Sequence, residues 1–301
     1  MLGALALGAV VLLAGCAAPA SPGAAPAPDT VVRVAGVPFV AQPDWQCGPA
    51  SLAMAMAAAG RPIDVDTLAR ASFVPGREGS LQPELLAAAR RHGLLATVLP
   101  ARTDALVGEL AAGRPVIVLQ NLGLAWWPRW HYAVVVGLDV PAGEIELHSG
   151  DTPSMRMSLR TFEHTWARSG RWAIAVTAPE VLPASAGIGA VLASVAALER
   201  VDPSAAAPAW ESVVVRWPED RLARFGRANA RLARGEARGA ADGFREAIAI
   251  DPGFADAWNN LARALAAAGE TEAARAAADR ALALGGPHVD AYRDTRAALG
   301  H

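Results

Sequence analysis

Apolar positions fall into two textures along this chain. Over residues 31–178, short β-branched apolar runs bounded by Gly or Pro are interleaved with longer stretches of helical spacing. Val116-Ile117-Val118-Leu119 and Tyr132-Ala133-Val134-Val135-Val136 contain no charged or amide side chain, the pattern of interior strands covered on both faces. Helices are predicted over 49–59, 65–71, 83–92 and 103–112, each near a Gly or Pro stop. Helices come first and strands later, which predicts an α+β layout rather than an alternating doubly wound one. Strands at 132–138 and 144–150 read as a hairpin turning at 139–143. If Leu138 faces Ile145, antiparallel pairing puts His131 opposite residue 152, within about two residues. From about Pro183 onward the chain is rich in Ala, Arg and Leu, with no strand signal. There Pro183, Pro218, Pro252 and Pro287 recur at intervals of 35, 34 and 35 residues, and Gly235 and Gly269 at 34.

The same period carries Ala230 into Ala264, Ala247 into Ala281, and Ile248-Ala249-Ile250 into Leu282-Ala283-Leu284. Two helices joined by a Gly-centred turn and closed by Pro resemble the tetratricopeptide repeat, most clearly at 247–252 followed by 257–262. The resemblance implies an all-α solenoid over 184–300: a degenerate repeat at 184–218, clear ones at 219–252 and 253–286, and a capping helix at 288–299. Because each solenoid repeat contacts mainly its neighbours, a fragment ending near Pro179 is expected to fold by itself.

Residues 1–15 hold no charged side chain, and their apolar run from Leu2 to Leu13 is interrupted only by Gly3 and Gly8. Such a run is too short to span a bilayer and fits the core of a secretory signal. Leu13-Ala14-Gly15-Cys16 resembles the lipobox of bacterial lipoproteins. That resemblance implies cleavage before Cys16 and its lipidation. Ala17, rather than Asp, follows, a choice similar to that of lipoproteins sorted to the outer membrane and facing the periplasm. Residues 16–30, built largely from Ala, Pro, Ser and Gly, read as a flexible tether. A net charge of −2 with mixed signs leaves no basic patch for nucleic acid.

With Cys16 acylated, Cys47 is the one cysteine left in the mature chain, in a compartment where structural cysteines come in pairs. It is either buried and inert or kept for its chemistry. Pro49 suits the first turn of a helix, so Cys47 falls at a helix N-terminus, where backbone N–H groups and the helix dipole favour thiolate. Among the six histidines, His131 begins a predicted strand that would fix its ring. His92, His148, His164, His288 and His301 read as less constrained or more polar.

Gln42 with Cys47-Gly48-Pro49-Ala50, then Gly113-Arg114-Pro115-Val116-Ile117-Val118, then His131-Tyr132 leading to Val134-Val135-Val136-Gly137, resembles the bacteriocin-processing-like cysteine peptidases. The resemblance implies a papain-like cysteine peptidase domain over 31–180 with a Cys-His-Asp triad. It makes Cys47 the nucleophile, His131 the base and Gln42 the oxyanion donor, with Gln46 a weaker candidate. The Cys47 backbone N–H would be the second donor. The family's Asp-Pro is missing at its matching place, where the count falls on Ser149. Hairpin pairing favours Asp151 as the group that orients His131, with Ser149 as the alternative. A plain surface turn at Gly150-Asp151-Thr152-Pro153 is the bland alternative. Trp126, Trp127 and Trp130 wall a substrate groove or roof the sheet edge.

The expectation is a membrane-anchored cysteine peptidase, with repeats that dock a protein partner or the peptide substrate and no need for a cofactor or metal. An idle peptidase-like domain serving as a peptide-binding or assembly factor is the alternative. Acyl or peptidyl transfer is a third reading, since an amine can resolve a thioester as water does.

Overall fold

A computed structural model describes residues 26–41, 46–74, 76 and 79–300. The expected signal segment, Cys16 and Gln42 lie outside the described residues. The first part runs β1 (Val31–Arg33), α1 (Cys47–Ala58), α2 (Val65–Ser72), β2 (Phe73–Val74), β3 (Gly79–Ser80) and α3 (Gln82–Arg91). Then come β4 (Leu95–Val98), α4 (Thr103–Ala111), β5 (Val116–Asn121), β6 (Trp130–Asp139), β7 (Glu144–Ser149), β8 (Thr152–Ser158), α5 (Leu159–Ala167) and β9 (Ala173–Thr177). Helices follow to the end: α6 (Ile188–Glu199), α7 (Pro203–Arg216), α8 (Arg221–Ala233), α9 (Ala237–Ile250), α10 (Ala255–Ala267), α11 (Thr271–Leu284) and α12 (Val289–Ala298).

The main sheet is antiparallel in the order β4-β9-β5-β6-β7-β8, with β1 paired to the far end of β6, Val31 opposite Asp139. β5 over Val116–Leu119 and β6 over Tyr132–Leu138 are apolar because both faces are covered. Ile117, Leu119, Tyr132, Val134 and Val136 pack into a layer with α1 and α3. Val116, Val118, Ala133 and Val135 pack into the opposite layer with residues of α4 and α5. Helix α1 is buried from Gly48 to Met56. Apolar on all sides, it is a central core helix rather than a surface one.

The second layer does not end with the sheet domain. Val191, Val195 and Leu198 of α6 and Trp210 and Val213 of α7 belong to one apolar cluster with Leu95, Leu106, Val116 and Ala175. Thr97 on β4 donates from Oγ1 to Ser194 Oγ on α6 at 2.8 Å, in the buried interior. Glu109 on α4 pairs with Arg114 at 2.6 Å and accepts the Ser185 N–H at 2.7 Å. The helical pair read as a degenerate repeat is therefore packed onto the sheet as part of its core. This packing bears against the expectation of separable repeats: the β4–β9 edge presents apolar residues on this face, and α6 covers them.

Beyond α7 the helices stack in pairs. Gly235 and Gly269 end α8 and α10 in the left-handed region, φ +78° and +83°, as a Gly-centred turn requires. Gly226 on α8 lies so close to Trp210 that a Cβ would fall 2.3 Å from the indole. Phe244, Leu261 and Leu265 form the interior of the later pairs.

Leu198→Ala should lower the unfolding free energy of the whole chain by about 2–4 kcal/mol, read in urea by signals from both halves in one transition. A fragment ending at Pro179 should be insoluble or lack fixed tertiary packing. A soluble, cooperatively folding fragment would refute the shared core.

Candidate active site

Cys47 is the first residue of α1, with Pro49 two residues on. The half-buried thiol thus sits where the helix's unsatisfied N–H groups converge. What seats the helix here is Gly48: a Cβ there would stand 2.9 Å from the Ser80 Cβ. β3 therefore abuts the helix start directly. The Ser80 carbonyl accepts the Tyr132 hydroxyl at 3.2 Å, and Ser80 Oγ lies 3.3 Å from Ser72 Oγ. Tyr132 also meets Trp172 edge to face, centroids 5.8 Å apart. Helix start, β3 and the opening of β6 are in this way one packed unit. Burial first, and the Cys47 thiolate second, push the Tyr132 phenol well above its usual range. Cys47 therefore lies within electrostatic reach of the residue next to His131.

His131, half-buried, opens β6 opposite Gln120. Gln120 is itself fixed by donating to Thr165 Oγ1 at 2.6 Å. The His131 Nε2 atom is 2.8 Å from Ser149 Oγ. Ser149, the alternative to Asp151, is thus the residue that touches the ring. Asp151 is exposed in the turn, and its carboxylate accepts from Thr152 Oγ1 at 3.0 Å. The reason lies in where β7 ends, not in the register. Leu138 does face Ile145 as expected, but a bulge between Val135 and Gly137 shifts the pairing by one, so that Val134 faces His148. β7 then ends at Ser149, and Gly150, at φ +60°, turns the chain.

Gln46, the weaker oxyanion candidate, is buried at the N-cap of α1 and makes no capping bond with its side chain. His148 was passed over in the sequence, yet it is among the most constrained side chains here. Its Nδ1 accepts the Ser154 N–H at 3.1 Å and its Nε2 lies 3.2 Å from the Val37 carbonyl. A carbonyl can only accept, so Nε2–H is the donor to Val37, and the two bonds together fix the ring's orientation. Ser154 holds φ +51° where β7 and β8 shift register between Leu147 and Ser149. The ring of His148 thereby satisfies the N–H of that irregular residue. It also ties down the segment that leads to the Cys47 helix. No periodicity announces a side chain bonded to backbone, so only the topology exposes it.

Residues 34–174 match the family model described as Peptidase_C39 like family. Two models described as Tetratricopeptide repeat match 192–253 and 244–276. The chain thus joins a peptidase C39-like domain, papain-like in its α+β layout, to a helical tetratricopeptide region. Solved structures similar to it include a C39-like peptidase from Bacillus anthracis, 21% identical, covering 50% of this chain and 98% of that one, TM-score 0.44. The peptidase domain of Streptococcus ComA, a bi-functional ABC transporter, is 22% identical over 47% of this chain and 98% of that one, TM-score 0.39. On the helical side, the type III secretion translocator chaperone SycD of Yersinia enterocolitica is 16% identical over 37% of this chain and 90% of that one, TM-score 0.35. No curated protein matches the chain. Among the described residues no helix is long and apolar enough to cross a membrane.

Two measurements check the site. Ser149→Ala should slow alkylation of Cys47 at neutral pH by about 3- to 10-fold, the worth of one neutral hydrogen bond, while Asp151→Asn stays within about twofold. The reverse order would return the orienting role to Asp151. A phenol pKa raised in the folded state contributes stability below the ordinary value of about 10 that is lost as pH climbs through the folded value. Urea stability of the wild type should therefore fall above that pH, and Tyr132→Phe should flatten the fall.

Proposed function

We propose that the protein is a thiol peptidase in which Cys47 attacks a peptide carbonyl and His131 moves the proton. The observation that carries this reading is the placement of His131 at the start of β6, its Nε2 held by Ser149 at 2.8 Å, beside a tyrosine that feels the Cys47 thiolate. In the tautomer whose Nε2–H donates to Ser149, Nδ1 is the nitrogen that takes the thiol proton. The thiolate adds to the carbonyl carbon, and the resulting oxyanion is met by the Cys47 N–H and the Gln42 amide. His131 returns its proton to the departing amine, and water then cleaves the thioester by the same route.

A second reading, a peptide-binding or assembly factor that turns over little or nothing, is favoured by one feature. The partner of His131 is a hydroxyl, and an uncharged group stabilises imidazolium less than a carboxylate does. Ser149→Asp separates the two readings. In a working triad it should raise the rate of Cys47 labelling by an electrophilic peptide probe about tenfold at neutral pH. Wild-type protein that forms no adduct at Cys47, with or without the aspartate, would establish the binding role.

The repeats are proposed to dock a protein partner or the substrate, and Cys16 to carry a lipid that anchors the chain in the cell envelope, at the outer membrane facing the periplasm. Labelled fatty acid should enter the wild-type chain and not Cys16→Ser. Absence of label from the wild type would remove the anchor.

A further inference from the structure

The connection between β5 and β6 is built with unusual care for a surface hairpin. The buried Asn121 accepts from the N–H groups of Gly123 and Arg129 at 2.9 Å each and donates to the Leu124 carbonyl at 3.3 Å. Leu124 and Trp127 exchange backbone bonds of 3.1 and 3.2 Å. Gly123 passes so near the Trp127 carbonyl that a Cβ would fall 2.3 Å from its oxygen. The Arg168 guanidinium closes the base on the Asn121 carbonyl at 3.0 Å. Backbone bonds and one amide fix the tip, so its apolar side chains are not needed to hold it.

Those side chains point outward. Leu122, Leu124, Trp126, Trp127 and Trp130 are all exposed, Trp126 to 78% and Trp127 to 70%. Such exposure rules out a roof over the sheet edge, which would bury its rings. Nor do the exposed rings enclose a ligand among themselves, as a concave site would. An exposed apolar tip held by its backbone fits a partner that needs no concavity. Indoles, with an apolar body and one N–H, favour the headgroup level of a bilayer. No Asp or Glu occurs between Glu109 and Asp139. Arg129 and Arg168, both exposed at the base of the tip, suit anionic headgroups.

We propose that the 122–130 hairpin enters the interface of an anionic lipid bilayer. It does so independently of any turnover at Cys47. The end of the domain that bears His131, adjacent to Trp130, then faces the lipid surface.

The test uses the mature chain from residue 16 with Cys16→Ser, so that no acyl group contributes. It should cosediment with phosphatidylcholine–phosphatidylglycerol vesicles, and brominated lipid should quench its tryptophan emission. Trp126→Ser with Trp127→Ser should weaken partitioning at least tenfold with an unchanged thermal transition, since both side chains are exposed. Arg129→Gln should weaken binding to the anionic vesicles and leave binding to pure phosphatidylcholine unchanged. No partitioning by the parent chain, or equal partitioning by the double variant, overturns the proposal. So does a concentration-dependent dimer that the double variant abolishes, or protection of these tryptophans by a peptide substrate and not by lipid.

Discussion

The contact on which the rest depends is the approach of the α1 N-terminus to β3 at Gly48. Only hydrogen fits between that Cα and Ser80, and Ser80 in turn accepts the Tyr132 hydroxyl. Helix, short hairpin and central strand are locked at one point. On one side of it stands Cys47, at the positive end of a helix buried along most of its length, and on the other stands His131. A side chain at residue 48 would force the helix away from β3 and draw the thiol off the strand that carries the imidazole. Close packing turns a small steric fact into an electrostatic one, because the field of the helix N-terminus fades within its first turn.

Much of this was legible in the residues. The unbroken apolar runs of β5 and β6 announced strands covered on both faces, and Pro49 announced the helix start that places Cys47. The proline and glycine period announced the helix pairs, whose turns at Gly235 and Gly269 adopt the left-handed backbone. What failed was any inference that counted across an irregularity. Pairing from Leu138 and Ile145 was right at its origin and wrong at its end: the bulge near Val136 moves later residues by only one position, which by itself would face His131 with residue 151, but β7 stops at Ser149 and Gly150 turns the chain before that pairing is reached. A bulge leaves no trace in hydropathy, since the residues flanking it remain apolar. His148 escaped notice for a related cause: its importance comes from two backbone groups, one far back in the chain at Val37 and one across the irregular β7–β8 connection at Ser154.

The boundary between the two textures was misleading in a different way. Composition changes near Pro183, but the core does not. An amphipathic helix needs a surface to bury against, and in a solenoid the neighbouring repeat supplies it. Here α6 finds the sheet first, through Leu95 and the Thr97–Ser194 hydroxyl pair. The first helical pair then serves two neighbours, the sheet on one side and α8 on the other. Ala223 and Ala230 of α8 join the same cluster. The orientation of the repeats to the Cys47 end is thus set by a continuous apolar core instead of a linker. The later repeats are thereby held at a fixed angle to the sheet domain.

The hydroxyl at His131 has a physical consequence for the proposed chemistry. A carboxylate beside an imidazole acts mainly by charge, favouring imidazolium and therefore the thiolate–imidazolium pair at rest. A serine offers direction without charge: its oxygen holds the ring plane at Nε2, but a hydroxyl donates as well as accepts and so does not select the tautomer as a carboxylate would. Geometry is retained while the resting ion pair loses support. The burden of stabilising the thiolate then shifts to the helix start, which supplies a fixed positive potential that pH does not remove. An imidazole merely aimed by a hydroxyl works only if the thiol it serves is already disposed to give up its proton.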